Sequence, residues 1–286
     1  MATTNTNADT SYGAKWFQAN LQETLKAALV AEKICQVDRS DGKYIWNPYG
    51  SAPTTTIQAI AGSYSAATYT STDDTLTVSD EFICSNVIHD FEMVMQHGDI
   101  LASRRDEMIA SVATSIDKWV INNLCEDGTG TYSTPSGGFS AANITEIMAN
   151  LISKVSGYAN AGQGYFIVIE QQDLPGFIEA GASSGFNFAD AWLNNGKMGS
   201  YMGVDIYVKP NATFVSDTLG TTTVTNAGHR VFGIKGITTY AAPRGVRYEE
   251  KHISGETGYE VVCFGYIGFR AWYQKKSLII DITITS

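Results

Sequence analysis

The residues best able to do chemistry are a serine, two aspartates and two histidines in hydrolase order. Gly181-Ala-Ser183-Ser-Gly185 fits the G-x-S-x-G pattern, and Asp190 or Asp205 and His229 or His252 follow downstream. In a serine hydrolase Ser183 would be the nucleophile, raised on a sharp turn between a buried strand and a helix. Here Asp173-Leu-Pro-Gly-Phe-Ile-Glu-Ala precedes the serine and reads as a short helix, while Gly-Ala-Ser-Ser is ordinary loop composition. The elements needed to aim Ser183 are therefore not predicted around it.

Other chemistry is equally thin. The histidines (His89, His97, His229, His252) are scattered without H-E-x-x-H and without cysteines at ligand spacing, so no zinc site is expected. His89 and Asp90 are adjacent, and adjacent strand residues face opposite ways. Neither G-x-x-x-x-G-K-[ST] nor G-x-G-x-x-G occurs, so no phosphate-binding loop or dinucleotide fingerprint is present. Arg104-Arg105 reads as a solvated face or an ion pair, and the sequons at Asn143 and Asn211 need secretion to matter. The sequence predicts no enzyme, no cofactor and no metal.

Composition narrows the class. The chain has 286 residues with 44% hydrophobic and only 17% charged, which excludes global disorder. Nineteen basic against twenty-nine acidic residues give a net charge of −10, which excludes a strongly basic nucleic-acid binder and is compatible with simple solubility. No run approaches the length of a membrane span, and MATTNTNADTSYG has neither a basic nor an apolar leader region. Cys35, Cys84, Cys125 and Cys263 lie far apart, as free, mostly buried thiols of an intracellular protein would.

The elements follow from periodicity. Phe17, Leu21, Leu25, Ala28 and Leu29 form one helical stripe over residues 14–34, after a Thr/Asn/Ala arm. From Tyr44 to Thr72 there is no charged residue in 29 positions, and Tyr, Thr and Ile are interrupted by Pro48, Gly50, Pro53 and Gly62. A long irregular hairpin is predicted. Exposed hairpins carry charges that keep their edges from pairing with other chains, so this one either docks on something or is buried within its own domain. Strands are predicted in 77–83 and 86–95. Asp99 is placed to cap a helix over 100–125, about 39 Å long, striped by Leu101, Met108, Ile109, Val112, Ile116, Trp119, Val120 and Leu124. A Gly/Ser/Thr stretch (128–140) then leads into helix 144–155, buried strand 165–170, a short helix near 173–180 and strand 204–208, a compact α/β unit. Strands 230–240, 259–273 and 278–284 close the chain, the last two joined by the turn Gln274-Lys275-Lys276.

In this order, the elements resemble a tailed-phage major capsid protein of the Hong Kong 97 type. Asp99-Ile-Leu, Met108-Ile-Ala-Ser-Val-Ala and Ile116-Asp-Lys resemble the family's spine helix. Gly199-Ser-Tyr-Met-Gly-Val-Asp-Ile-Tyr-Val resembles a strand of its axial domain, and Gly258-Tyr-Glu-Val-Val with Tyr266-Ile-Gly its last peripheral hairpin. The resemblance spans nearly the whole chain and implies an α+β fold. Its parts would be an N-terminal arm and helix (1–39), an extended β-hairpin loop or E-loop (40–81), a peripheral domain with the spine helix (82–127 and 240–286), and an axial α/β domain (128–239).

The function implied is a coat protein that self-assembles, as hexamers and pentamers, into an icosahedral shell around double-stranded DNA. DNA would be enclosed without sequence-specific binding, in a virion assembled in the host cytoplasm and with no membrane. A separate scaffolding protein, a portal and a decoration protein are the implied partners. No lysine occurs between Tyr44 and Glu81, so the lysine cross-link of some relatives is not expected. Intersubunit contacts are assigned to Trp16 and Phe17 in the arm, and to Tyr44, Trp46, Tyr49, Ile57, Tyr64 and Tyr69 in the loop. An encapsulin-type nanocompartment shell would share the fold with a different cargo, and a serine hydrolase built on Ser183 is the reading from another class.

Overall fold

A computed structural model describes residues 29–40, 42–50, 55, 57, 60, 70–90, 100–157, 163–183, 197–243, 245–253 and 257–285. The first part of the chain contributes α1 (Ala31–Ile34), β1 (Gln36–Asp38), β2 (Tyr44–Gly50), β3 (Ser71–Thr77), β4 (Asp80–His89) and α2 (Ile100–Asp127). The middle contributes β5 (Gly130–Ser133), α3 (Ile144–Val155), β6 (Tyr165–Glu170), α4 (Leu174–Ser183), β7 (Lys197–Tyr201) and β8 (Val204–Lys209). There follow β9 (Ser216–Leu219), β10 (Thr222–Thr225), β11 (His229–Ile234), β12 (Thr238–Ala241), β13 (Arg247–His252), β14 (Gly258–Ala271) and β15 (Ile279–Thr283).

Two sheets share one helix. The six-stranded sheet runs β5-β15-β11-β6-β8-β7, with β15–β5 and β6–β8 parallel and the other pairs antiparallel. Consecutive residues of β6 and β11 are buried, so both faces of the sheet are covered, as their unbroken apolar runs require. The second sheet is built on β14, whose 14 residues pair with β4 and β13 along the first part and with β12 at the end. Helix α2 packs on both sheets. Its 28 residues extend about 42 Å, and Met108, Val112, Trp119, Val120, Ile121 and Leu124 are buried along it. Ile109, placed on the same stripe by spacing, is 36% exposed.

Several expected elements differ in detail. The strands predicted in 77–83 and 86–95 are joined in one strand, β4 (80–89), and 91–95 lie outside the described residues. The strand predicted over 230–240 is two, β11 and β12, in different sheets. The break is at Gly236, whose φ of +71° suits glycine and whose N–H reaches the Ile34 carbonyl at 2.8 Å. β14 and β15 do not form the expected hairpin. Residues 273–278 make a 3-10 stretch that carries the chain from one sheet to the other, so the last strand of the expected peripheral segment lies in the six-stranded sheet. Of the helix predicted over 14–34, residues 29–34 fall among the described residues and 31–34 of them are helical, and Asp99 lies outside the described residues. The short β5, β7, β9, β10 and β13 were not predicted at all.

Candidate functional site: an exposed ribbon and the anchors that hold it

Among the described residues β2 and β3 pair only with each other, from Tyr44 opposite Thr77 to Gly50 opposite Ser71. At the base of this ribbon every second residue of β3 turns inward. Leu76 is fully buried in a cluster with Ala241 and Trp272, and Ile45 and Val78 pack around it. Asp74, one turn of the pleat further out, takes Nε and Nη2 of Arg270 on Oδ1 at 3.0 and 2.8 Å. Gly268 lets β14 pass directly beneath, since a Cβ there would stand 2.3 Å from the Thr77 carbonyl oxygen. Beyond the base, none of the described residues covers the ribbon. Tyr44 is 52% exposed, Trp46 64%, and Ile57 and Ile60 are essentially bare. Large apolar side chains held out on a charge-free segment are costly in water unless a partner covers them.

The entry to the ribbon is pinned from inside. Asp117 on α2 is buried and accepts the backbone N–H groups of Val30 and Ala31 on Oδ1 at 2.8 and 2.6 Å. Its Oδ2 takes the buried Lys209 ammonium at 2.5 Å. One carboxylate therefore ties the first turn of α1 to the long helix and to β8. From there β1 runs parallel to β12, and Tyr240 donates its hydroxyl to Glu32 at 3.1 Å. Burial and the Glu32 carboxylate push the Tyr240 phenol well above its ordinary range. A cavity of about 260 Å³ under this junction is mostly apolar and below the usual size of a small-molecule site.

A second exposed apolar surface, missed from the sequence, lies on the outer face of the β14 sheet. Inward positions Cys84, Ile88, Val261 and Cys263 pack under α2, and the alternate positions Ile83, Val87 and Tyr266 are 61%, 47% and 46% exposed. The readable signal was Phe82-Ile83 and Val87-Ile88, apolar on both strand faces where alternation should have left one polar.

The contact residues named from the sequence divide accordingly. Tyr44, Trp46 and Ile57 are on the exposed ribbon, and Tyr49 lies in β2. Trp16, Phe17, Tyr64 and Tyr69 lie outside the described residues. The hydrolase constellation is not assembled. Ser183 ends α4, so a helix rather than a strand leads into it. Of its candidate partners, Asp205 pairs with Lys235, His229 with Asp281, His252 faces the Ile253 carbonyl, and Asp190 lies outside the described residues. The most elaborate buried polar group is structural. Arg230 Nη2 stands 3.0 Å from Glu170 Oε2 as an ion pair without hydrogen-bond alignment, its Nε donates to Asp173, and Glu170 Oε1 accepts Thr213 and Phe214 N–H. This network joins β6 and β11 to the loop after β8.

No family model matches the sequence, and no curated protein does either. Solved structures do. The capsid of the cyanophage P-SCSP1u aligns over 94% of this chain and 92% of its own, with TM-score 0.72 and 12% identity. A Mycobacterium phage Che8 structure aligns over 93% and 95%, with TM-score 0.73 and 16% identity. The capsid of an empty GTA particle aligns over 93% of both chains, with TM-score 0.71 and 13% identity. At these identities the likeness is one of backbone, over more than nine-tenths of the chain: the chain has the Hong Kong 97-type phage capsid fold.

Proposed function

We propose that this chain is the major coat protein of a tailed-phage-type particle, assembling with copies of itself into a closed shell around double-stranded DNA. The observation that carries the reading is the ribbon, without charge from Tyr44 to Thr72 and fixed at its base by Asp74–Arg270 and Leu76, that holds Tyr44, Trp46 and Ile57 in solvent. A neighbouring subunit supplies the missing cover, and the outer face around Ile83, Val87 and Tyr266 is a second contact area. Residues 1–39 serve as the arm, 40–81 as the loop that reaches the neighbour, and α2 with the β14 sheet as the peripheral body. The six-stranded sheet serves as the axial body. Many modest interfaces of order 1,000 Å² act together, and closure multiplies their strength. The net charge of −10 suits a wall that encloses DNA without gripping it. The chain itself is not an enzyme in this role; scaffold and portal are separate partners, and assembly takes place in the host cytoplasm.

The test is deletion of residues 51–70 with a short turn in their place. The expected product is a folded, soluble subunit that sediments as a small species, while the parent chain, with scaffold if required, yields megadalton shells by sedimentation and electron microscopy. Intact shells from the deletion variant overturn the loop assignment. A parent chain that stops at a defined dimer or tetramer overturns the coat-protein reading.

A further inference from the structure

Three side chains from distant parts of the chain converge where the last turn of α2 meets the six-stranded sheet. Cys125 is on α2, His229 opens β11 and Asp281 lies in β15. The β11–β15 register sets His229 opposite Thr283 and Val231 opposite Asp281, so His229 and Asp281 are diagonal neighbours on one sheet face. That face meets α2. Cys125 Sγ stands 3.0 Å from Asp281 Oδ1, and His229 Nδ1 stands 2.9 Å from both Asp281 oxygens. The sulfur, the imidazole nitrogen and the carboxylate oxygen all lie within 4.8 Å of one another.

Those distances lie within a few tenths of an ångström to about 1 Å of what a small tetrahedral cation needs. With bonds of about 2.0–2.3 Å, the ligand atoms of a zinc-type centre stand about 3.3–3.8 Å apart. Here two edges, 2.9 and 3.0 Å, are hydrogen bonds that must lengthen slightly, and the third is no more than 4.8 Å, so small side-chain rotations bring all three atoms onto one ion. Thiolate, imidazole and carboxylate together select zinc or cobalt, whereas magnesium and calcium require oxygen ligands throughout. The His229 and Asp281 side chains are 24% and 20% exposed, which gives the ion a route in and a water a place as fourth ligand. Cys125, 2% exposed, closes the inner side. The nearby Arg230 guanidinium is held by Glu170 and Asp173 and does not compete for Asp281.

We infer that Cys125, His229 and Asp281 form a binding site for a zinc-class divalent transition metal, completed by water, that clamps the end of α2 to β11 and β15. Binding through His229 Nδ1 leaves the ring proton on Nε2, and the thiol proton of Cys125 leaves to solvent as the metal enters. The site is contained in one subunit and is independent of shell formation.

The test is titration of the full chain with Co2+, kept reduced by a phosphine. The expected result is a thiolate-to-cobalt charge-transfer band with visible bands of tetrahedral intensity, bleached by Zn2+. Cys125→Ser should abolish the charge-transfer band, Cys84→Ser should leave it, and His229→Gln, at a partly exposed position, should weaken affinity at least tenfold. Zn2+ at about 100 times its Kd should raise the thermal midpoint by about 5–10 °C in the parent and not in His229→Gln. Absence of a charge-transfer band in the parent chain overturns the site. So does a band that survives Cys125→Ser, or a Zn2+ shift unchanged in His229→Gln.

Discussion

Asp117 is the residue whose loss should cost the subunit most. In Asp117→Ala the buried Lys209 ammonium loses its carboxylate, a change that costs about 3–5 kcal/mol when one partner of a buried ion pair is removed. The Val30 and Ala31 N–H groups also lose their acceptor, at about 1–3 kcal/mol each while they remain buried. The segment can peel away to water, so these terms do not add fully, and about 5 kcal/mol is the expected total. Against a domain stability of about 5–15 kcal/mol this is a large share. Asp117→Asn keeps an acceptor for both N–H groups and loses only the charge, for about 3 kcal/mol. Lys209→Met leaves the carboxylate held by two N–H donors, for about 2–3 kcal/mol. The double variant Asp117→Asn/Lys209→Met should cost less than the sum of the singles by about 2 kcal/mol, because neither change then strands a charge. Urea melts followed by fluorescence of the buried Trp119 measure the parent and all four variants. An Asp117→Ala chain within 1 kcal/mol of the parent, or a coupling of zero, refutes the role assigned to this carboxylate.

Three further outcomes are expected. Trp46→Ala should leave subunit stability within about 0.5 kcal/mol, because the side chain is exposed in the single chain, and should weaken assembly by the 2 kcal/mol or more of an interface anchor, read as a raised critical concentration. Gly268→Ala should destabilise by about 1–3 kcal/mol in urea melts, since its Cβ must push the end of β3 outward. Alkaline pH should unfold the subunit through its buried acids. Burial, against a hydrogen bond from Thr238, pushes the Cys35 thiol up to about 12, and burial with the Asp281 carboxylate raises that of Cys125 as well. The neutral thiol is favoured only in the fold, so the stability is intact below pH 9 and falls by about 1.4 kcal/mol per pH unit per thiol from there up to the folded value. A Cys35→Ala chain should show a shallower loss between pH 9 and 11 than the parent.

What the sequence made legible was whatever repeats locally. Helix α2 was found almost to the residue because its stripe repeats for 28 positions, and α3 and β6 because their apolar patterns are unbroken. The ribbon was legible through the absence of charge, a signal that survives whatever the backbone does. The failures share a physical cause. β9 and β10 are four residues each, too short to show a period, and their one buried anchor is Val224. β11 and β12 read as one strand because Lys235-Gly236 carries no strong turn signature, and the break is enforced by the Ile34 carbonyl about 200 positions away in sequence. Asp117, Lys209 and Arg270 carry no local signal of their roles, since a buried ion pair looks like any other pair of charges until the fold brings its halves together. The histidines were set aside for want of nearby cysteines, yet folding gives His229 both Cys125 and Asp281.

The place of β15 in the sheet sets a clock. It lies between β5 and β11, and its parallel partner β5 was made about 150 residues earlier. Every other strand of that sheet precedes it in the chain, so a nascent polypeptide holds β5 as a loose edge until residue 283 has been added. Pairing at that separation is slow to form, because a long loop must close before any contact rewards it. The two strands of the ribbon, by contrast, pair within residues 44–77, and their anchors Ala241, Gly268, Arg270 and Trp272 all precede β15 in the chain. Ribosomes on one message would thus display adhesive tips on bodies unable to receive them. Completion of the subunit, and with it competence to join others, waits on translation of the final strand.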